Sequence, residues 1–73
     1  MTDEERVAYF RTEKELALGM VRDIEQGERR FFESVGTDPV VETTIECLDE
    51  KRRYVETLAD LIRTLERLVA HRP

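Results

Sequence analysis

The sequence predicts an all-α protein: an antiparallel hairpin of two long helices that dimerises into a four-helix bundle. Three observations carry that expectation. Apolar residues recur at helical spacing through both halves of the chain, a Gly-Thr-Asp-Pro turn divides the halves almost equally, and the apolar stripe of the second half is broader than one partner helix covers. Composition agrees. Charged residues make up 40% of the 73 and apolar residues another 40%, with three Gly, two Pro and no Trp, the balance of helical bundles rather than of sheets.

The first helix is predicted over residues 2–35. Thr2 followed by Asp3, Glu4 and Glu5 forms a capping-box start, in which the Thr hydroxyl takes an orphan amide, Glu5 reaches back, and the carboxylates suit the positive end of the helix dipole. From there Val7, Phe10, Ala17, Val21, Ile24, Phe31 and Val35 follow a 3-4 alternation, interrupted by Lys14 and Glu28. Gly27 could end this helix early. The Phe10-Ala17-Ile24-Phe31 heptad nevertheless passes through it without a phase shift, so an unbroken helix is expected.

Residues 36–39 are predicted to be a tight helix-helix turn. Gly36 suits the left-handed position after a helix, Asp38 can cap the next helix, and Pro39 fits a first helical position because its missing N–H would be unpaired there anyway. The second helix is then expected over about 39–71. A later start near Thr43 stays open, since Thr43-Thr44-Ile45-Glu46 offers another capping box.

The second helix carries the stronger pattern. Val41, Leu48, Val55, Ile62 and Val69 repeat every seven residues, Leu58 and Leu65 complete the seam, and Cys47, Tyr54, Leu61 and Leu68 form a neighbouring row. Folding about the turn sets Phe10 against Leu65, Ala17 against Leu58, Ile24 against Lys51 and Phe31 against Thr44. Much of the Tyr54-Leu61-Leu68 row, or of its neighbour, then stays in water, and Tyr54, Leu61 and Leu68 with Tyr9 and Leu16 are the expected partner interface.

Size points the same way. A single domain of 73 residues barely offsets its chain entropy and needs further support. Cys47 is the only cysteine, which excludes an internal disulfide and fits a reducing compartment, and with His71 alone beside it no structural zinc site is available. Assembly is the remaining route. The net charge of −5 is spread as −3 over residues 1–36 and −2 over 37–73, so no basic arm exists and no nucleic-acid partner is expected. Neither a signal-peptide pattern nor an apolar run of spanning length occurs, so a cytoplasmic location without membrane association is expected.

One carboxylate constellation suggests chemistry. Glu25-x-x-Glu28 and Glu46-x-x-Asp49 each put two carboxylates on a helix face, and two such pairs on facing helices could hold Mg²⁺ against a nucleotide's phosphates. The spacing resembles the ExxE…ExxD motif of the MazG-like nucleoside triphosphate pyrophosphohydrolases, and the resemblance implies an Mg²⁺-dependent hydrolase using Glu25, Glu28, Glu46 and Asp49. It covers those positions alone. Between the motifs stand Arg29, Arg30 and the turn, where that family carries apolar and small residues. The residues therefore favour a non-enzymatic helical interaction module, an adaptor, regulator or small chaperone, which needs neither cofactor nor metal. Its partner is a second copy or another helical protein. A subunit of an obligate hetero-complex is the further alternative. The basic clusters Arg29-Arg30 and Lys51-Arg52-Arg53 are expected to meet near mid-hairpin and to form ion pairs with neighbouring carboxylates.

Overall fold

The computed structural model describes Met1 to His71; Arg72 and Pro73, expected to fray, lie outside the described residues. Two helices pack against each other, α1 over Asp3–Glu25 and α2 over Thr44–Ala70. Between them lies a small antiparallel sheet of β1, Phe32–Glu33, and β2, Val41–Glu42. The chain is thus mostly helical, with an addition that the helical pattern did not foretell.

The start of α1 is the predicted one. The Glu5 amide donates to Thr2 Oγ1 at 3.2 Å and the Thr2 amide donates to Glu5 Oε1 at 3.3 Å, so the capping box closes in both directions. Its end corrects the expectation of a helix running to residue 35. Gly27 takes φ +77°, its amide donates to the Ile24 carbonyl, and the Glu28 amide donates to the Asp23 carbonyl. These two bonds are the Schellman arrangement, which satisfies the last carbonyls and turns the chain out of the helix. An uninterrupted heptad did not outweigh a glycine that provides a complete C-terminal cap.

The predicted helix-helix turn at 36–39 is corrected too. Gly36 (φ +60°) and Thr37 are the central residues of a turn closed by the Asp38 amide on the Val35 carbonyl, at the tip of a β-hairpin. β1 pairs β2 with Phe32 opposite Glu42 and Glu33 opposite Val41. The second helix consequently starts at Thr44, the later of its two candidate starts. The second capping box does not form: Thr43 makes no side-chain cap bond, and Thr44 Oγ1 instead receives the Phe31 amide at 3.0 Å.

Two of the predicted pairings are present despite the change of backbone. Phe10 packs against a core of Val7, Ile62 and Leu65, and Phe31 reaches Thr44 by hydrogen bond. Val7, Ala17, Val21 and Ile24 of α1 are buried, as are Leu58, Ile62 and Leu65 of α2. Even so, no described side chain falls below 2% exposure. The extents of 58 × 27 × 16 Å give the reason, because a helix with its side chains is about 10–12 Å across. The molecule is two helices wide and one helix thick.

Candidate functional site

A one-layer hairpin has two long edges flanking its seam, and the residues on them differ. On one edge Arg11 of α1 pairs with Glu66 of α2, and Arg52 of α2 lies 3.4 Å from Glu25 at the end of α1. Both pairs span the interhelical groove. Ion pairs bridge that edge, and beside them lie two shallow depressions lined in part by Val7, Val69 and Ala70 and by Leu18, Val21 and Val55.

The other edge is apolar and open. Tyr54 Oη of α2 donates to Glu13 Oε2 of α1 at 3.4 Å, and Glu13 lies between Tyr9 and Leu16 on the same α1 stripe. This one bond places the α1 row and the α2 row side by side. Tyr9 is 52% exposed, Leu16 62%, Tyr54 42%, Leu61 37% and Leu68 54%. Tyr9 is braced by an edge-to-face contact with Phe10, ring centres 5.3 Å apart, so the exposed ring is continuous with the core.

The threonines three residues on from Tyr9, Tyr54 and Leu61 are bonded within their own helices. Thr12 Oγ1 donates to the Ala8 carbonyl at 3.1 Å, Thr57 Oγ1 to Arg53 and Thr64 Oγ1 to Asp60, both at 3.0 Å. Hydroxyls bonded to their own helix need no water, so they can be covered at little cost. Partial burial against α1, followed by the charge of Glu13, pushes the Tyr54 phenol above its ordinary pKa and keeps it a neutral donor. Glu13 was not foreseen as part of this face. Its position midway between Tyr9 and Leu16 at helical spacing was the available signal.

The four carboxylates of the enzyme-like motif are dispersed by the Gly27 turn. Glu25 is the last residue of α1 and Glu28 follows the left-handed glycine, so the first pair does not share a helix face. Glu25 is engaged by Arg52. Among the described residues no three His, Cys, Asp or Glu side chains converge as metal ligands. Three residues of the basic clusters form ion pairs: Arg29 lies 3.9 Å from Asp23, Arg30 is 2.8 Å from Glu42, and Arg52 meets Glu25. Cys47 is half-buried, with its sulfur 3.8 Å from Thr43 Oγ1. Among the described residues no helix is long and apolar enough to cross a membrane.

The chain matches no known protein family, no curated protein and no solved structure.

Proposed function

We propose that the chain is a non-enzymatic interaction module of the adaptor or regulator kind, which self-associates through the open edge into a homodimeric four-helix bundle. The observation that carries this reading is the asymmetry of the two edges. Ion pairs bridge one of them, whereas the exposed Tyr9, Leu16, Tyr54, Leu61 and Leu68 line the other. Helical domains of this size gain stability by setting a second layer over such a face. A second copy supplies the same rows under two-fold symmetry, so each row meets an apolar row of the other chain.

Sedimentation or light scattering across a concentration series tests the proposal, with Leu61→Glu as the variant. The wild-type chain is expected at twice the monomer mass and Leu61→Glu at the monomer mass, its helicity reduced but not lost. Arg11→Ala, on the polar edge, should remain dimeric. A wild-type chain that stays monomeric at high concentration overturns the reading, and so does a Leu61→Glu variant that still dimerises. Purification as a stable complex with a different chain seated on Leu61 would replace the homodimer with a hetero-assembly.

A further inference from the structure

A second apolar surface lies at the far end of the molecule, on the β-hairpin, and it is built differently from the helical edge. Phe32, Val35, Val40 and Val41 are each more than half exposed there, as is Ile45 at the start of α2. A depression of about 190 Å³ is lined by Val35, Pro39, Val41 and Thr43 together with Glu33 and Asp38. Two features define what would fit it.

The first is the backbone. The Thr43 amide donates to the Phe31 carbonyl at 2.9 Å, and in an antiparallel ladder the inward and outward directions alternate along each strand. The amide and carbonyl of Phe32 on β1, and those of Glu42 on β2, therefore point away from the two-stranded sheet. Both edges are free to accept another extended strand.

The second is charge. Every arginine near the hairpin is already engaged, Arg29 by Asp23 and Arg30 by Glu42 and the face of Phe32, 5.4 Å away. Among the described residues, Glu33, Asp38 and Glu46 have no cation within ion-pair distance. Apolar side chains flanked by uncompensated carboxylates complement a segment that alternates basic and apolar residues, the stems of lysine or arginine lying on Val35 and Val41 while their heads reach Glu33 and Asp38.

We propose that the β-hairpin tip is a docking site for an extended segment of a partner protein in which basic and apolar residues alternate. It is independent of the helical edge, at the opposite end of α2 from Leu68, and does not require the dimer.

A hexapeptide alternating lysine and valine, capped at both ends, is a suitable probe. It is titrated into the isotope-labelled full chain, alongside a hexapeptide alternating lysine and glycine, of the same charge but without apolar or strand-forming residues. Amide shifts are expected at Phe32, Glu33, Val35 and Val41, with the valine peptide bound about tenfold more tightly than the glycine peptide. Glu33→Lys combined with Asp38→Lys should abolish binding of the valine peptide. Val41→Thr, which keeps strand propensity and removes apolar contact, should weaken it. The Leu61→Glu chain should bind as the wild type does, which separates this site from self-association. Equal affinity for the two peptides overturns the proposal, as do shifts confined to the helices or a charge-reversed variant that binds undiminished.

Discussion

The two helical glycine positions show how much a single residue decides. Gly27 holds φ +77° with nothing within 4 Å of an added Cβ, so the cost of Gly27→Ala is conformational rather than steric. An L residue forced into the left-handed region loses about 1 kcal/mol, which in a domain of this size lowers Tm by about 4–8 °C. Gly19, inside α1 and equally uncrowded, should respond in the opposite sense: Ala there removes chain entropy from the unfolded state and adds about 0.8 kcal/mol. Thermal melts of the two single variants check the pair. Shifts of the same sign would mean that Gly27 does not terminate the helix as described. Both Gly27 and the unbroken heptad around it were visible in the sequence. What periodicity cannot express is that a C-terminal cap returns two hydrogen bonds at once, while a continuing helix would have placed Glu28 in the seam. Thr2 and Glu5 were legible because a capping box is a local pattern that depends on nothing distant.

At the scale of elements, the segment 26–43 is where sequence reasoning and structure part company. Phe31-Phe32, Val35 and Val40-Val41 are aromatic and β-branched, a strand signal, but they also prolong a heptad, and two-residue strands are too short to show alternation. Two of the predicted pairings outlast the change in secondary structure. Phe31 reaches Thr44 whether the chain between them is helix or hairpin, because the apolar seam decides which residues face each other and the backbone then adapts. The hairpin is fastened to α2 through Glu42, which accepts bonds from Arg30 Nε and Nη2 at 2.8 Å and from Thr44 Oγ1 at 3.0 Å. The Arg30 bonds first, then the Thr44 bond, with the guanidinium charge adding to them, hold the Glu42 carboxyl down to about 2. A carboxyl depressed in the folded state stabilises above its ordinary range and loses that contribution as pH falls toward the folded value. The tip should therefore loosen between the ordinary carboxylate range and about pH 2, before the helices respond. Amide exchange at Phe31 and Thr43 measures this, and Glu42→Gln should flatten the dependence. The contact is exposed, so added salt should weaken it as well. A tip whose exchange is indifferent to pH and to Glu42→Gln would show that strand pairing alone secures it.

For the whole molecule the central fact is its 16 Å thickness, which leaves half of each helix without a neighbour. The broad stripe of α2 made that legible beforehand: much of the Tyr54-Leu61-Leu68 row, or of its neighbour, was expected in water, and the structure leaves Tyr54, Leu61 and Leu68 exposed, as it does Tyr9 and Leu16. The polar edge was less legible, because ion pairs such as Arg11 with Glu66 depend on a crossing geometry that spacing does not report. Charge supplies a further test of what covers the open edge. Each chain carries −5, so two copies repel one another over the whole approach, and only apolar burial favours their association. Raising salt from about 0.01 M to about 1 M shortens the screening length from roughly 30 Å to roughly 3 Å, which removes the repulsion and leaves apolar contact intact. The dimer should accordingly tighten as salt rises, its dissociation constant falling in sedimentation equilibrium. An interface built on the polar edge would behave in the reverse way, since its Arg–Glu contacts are exposed and weaken with screening. Dissociation promoted by salt would thus move the contact from the Tyr9–Leu61 edge to the Arg11–Glu66 edge.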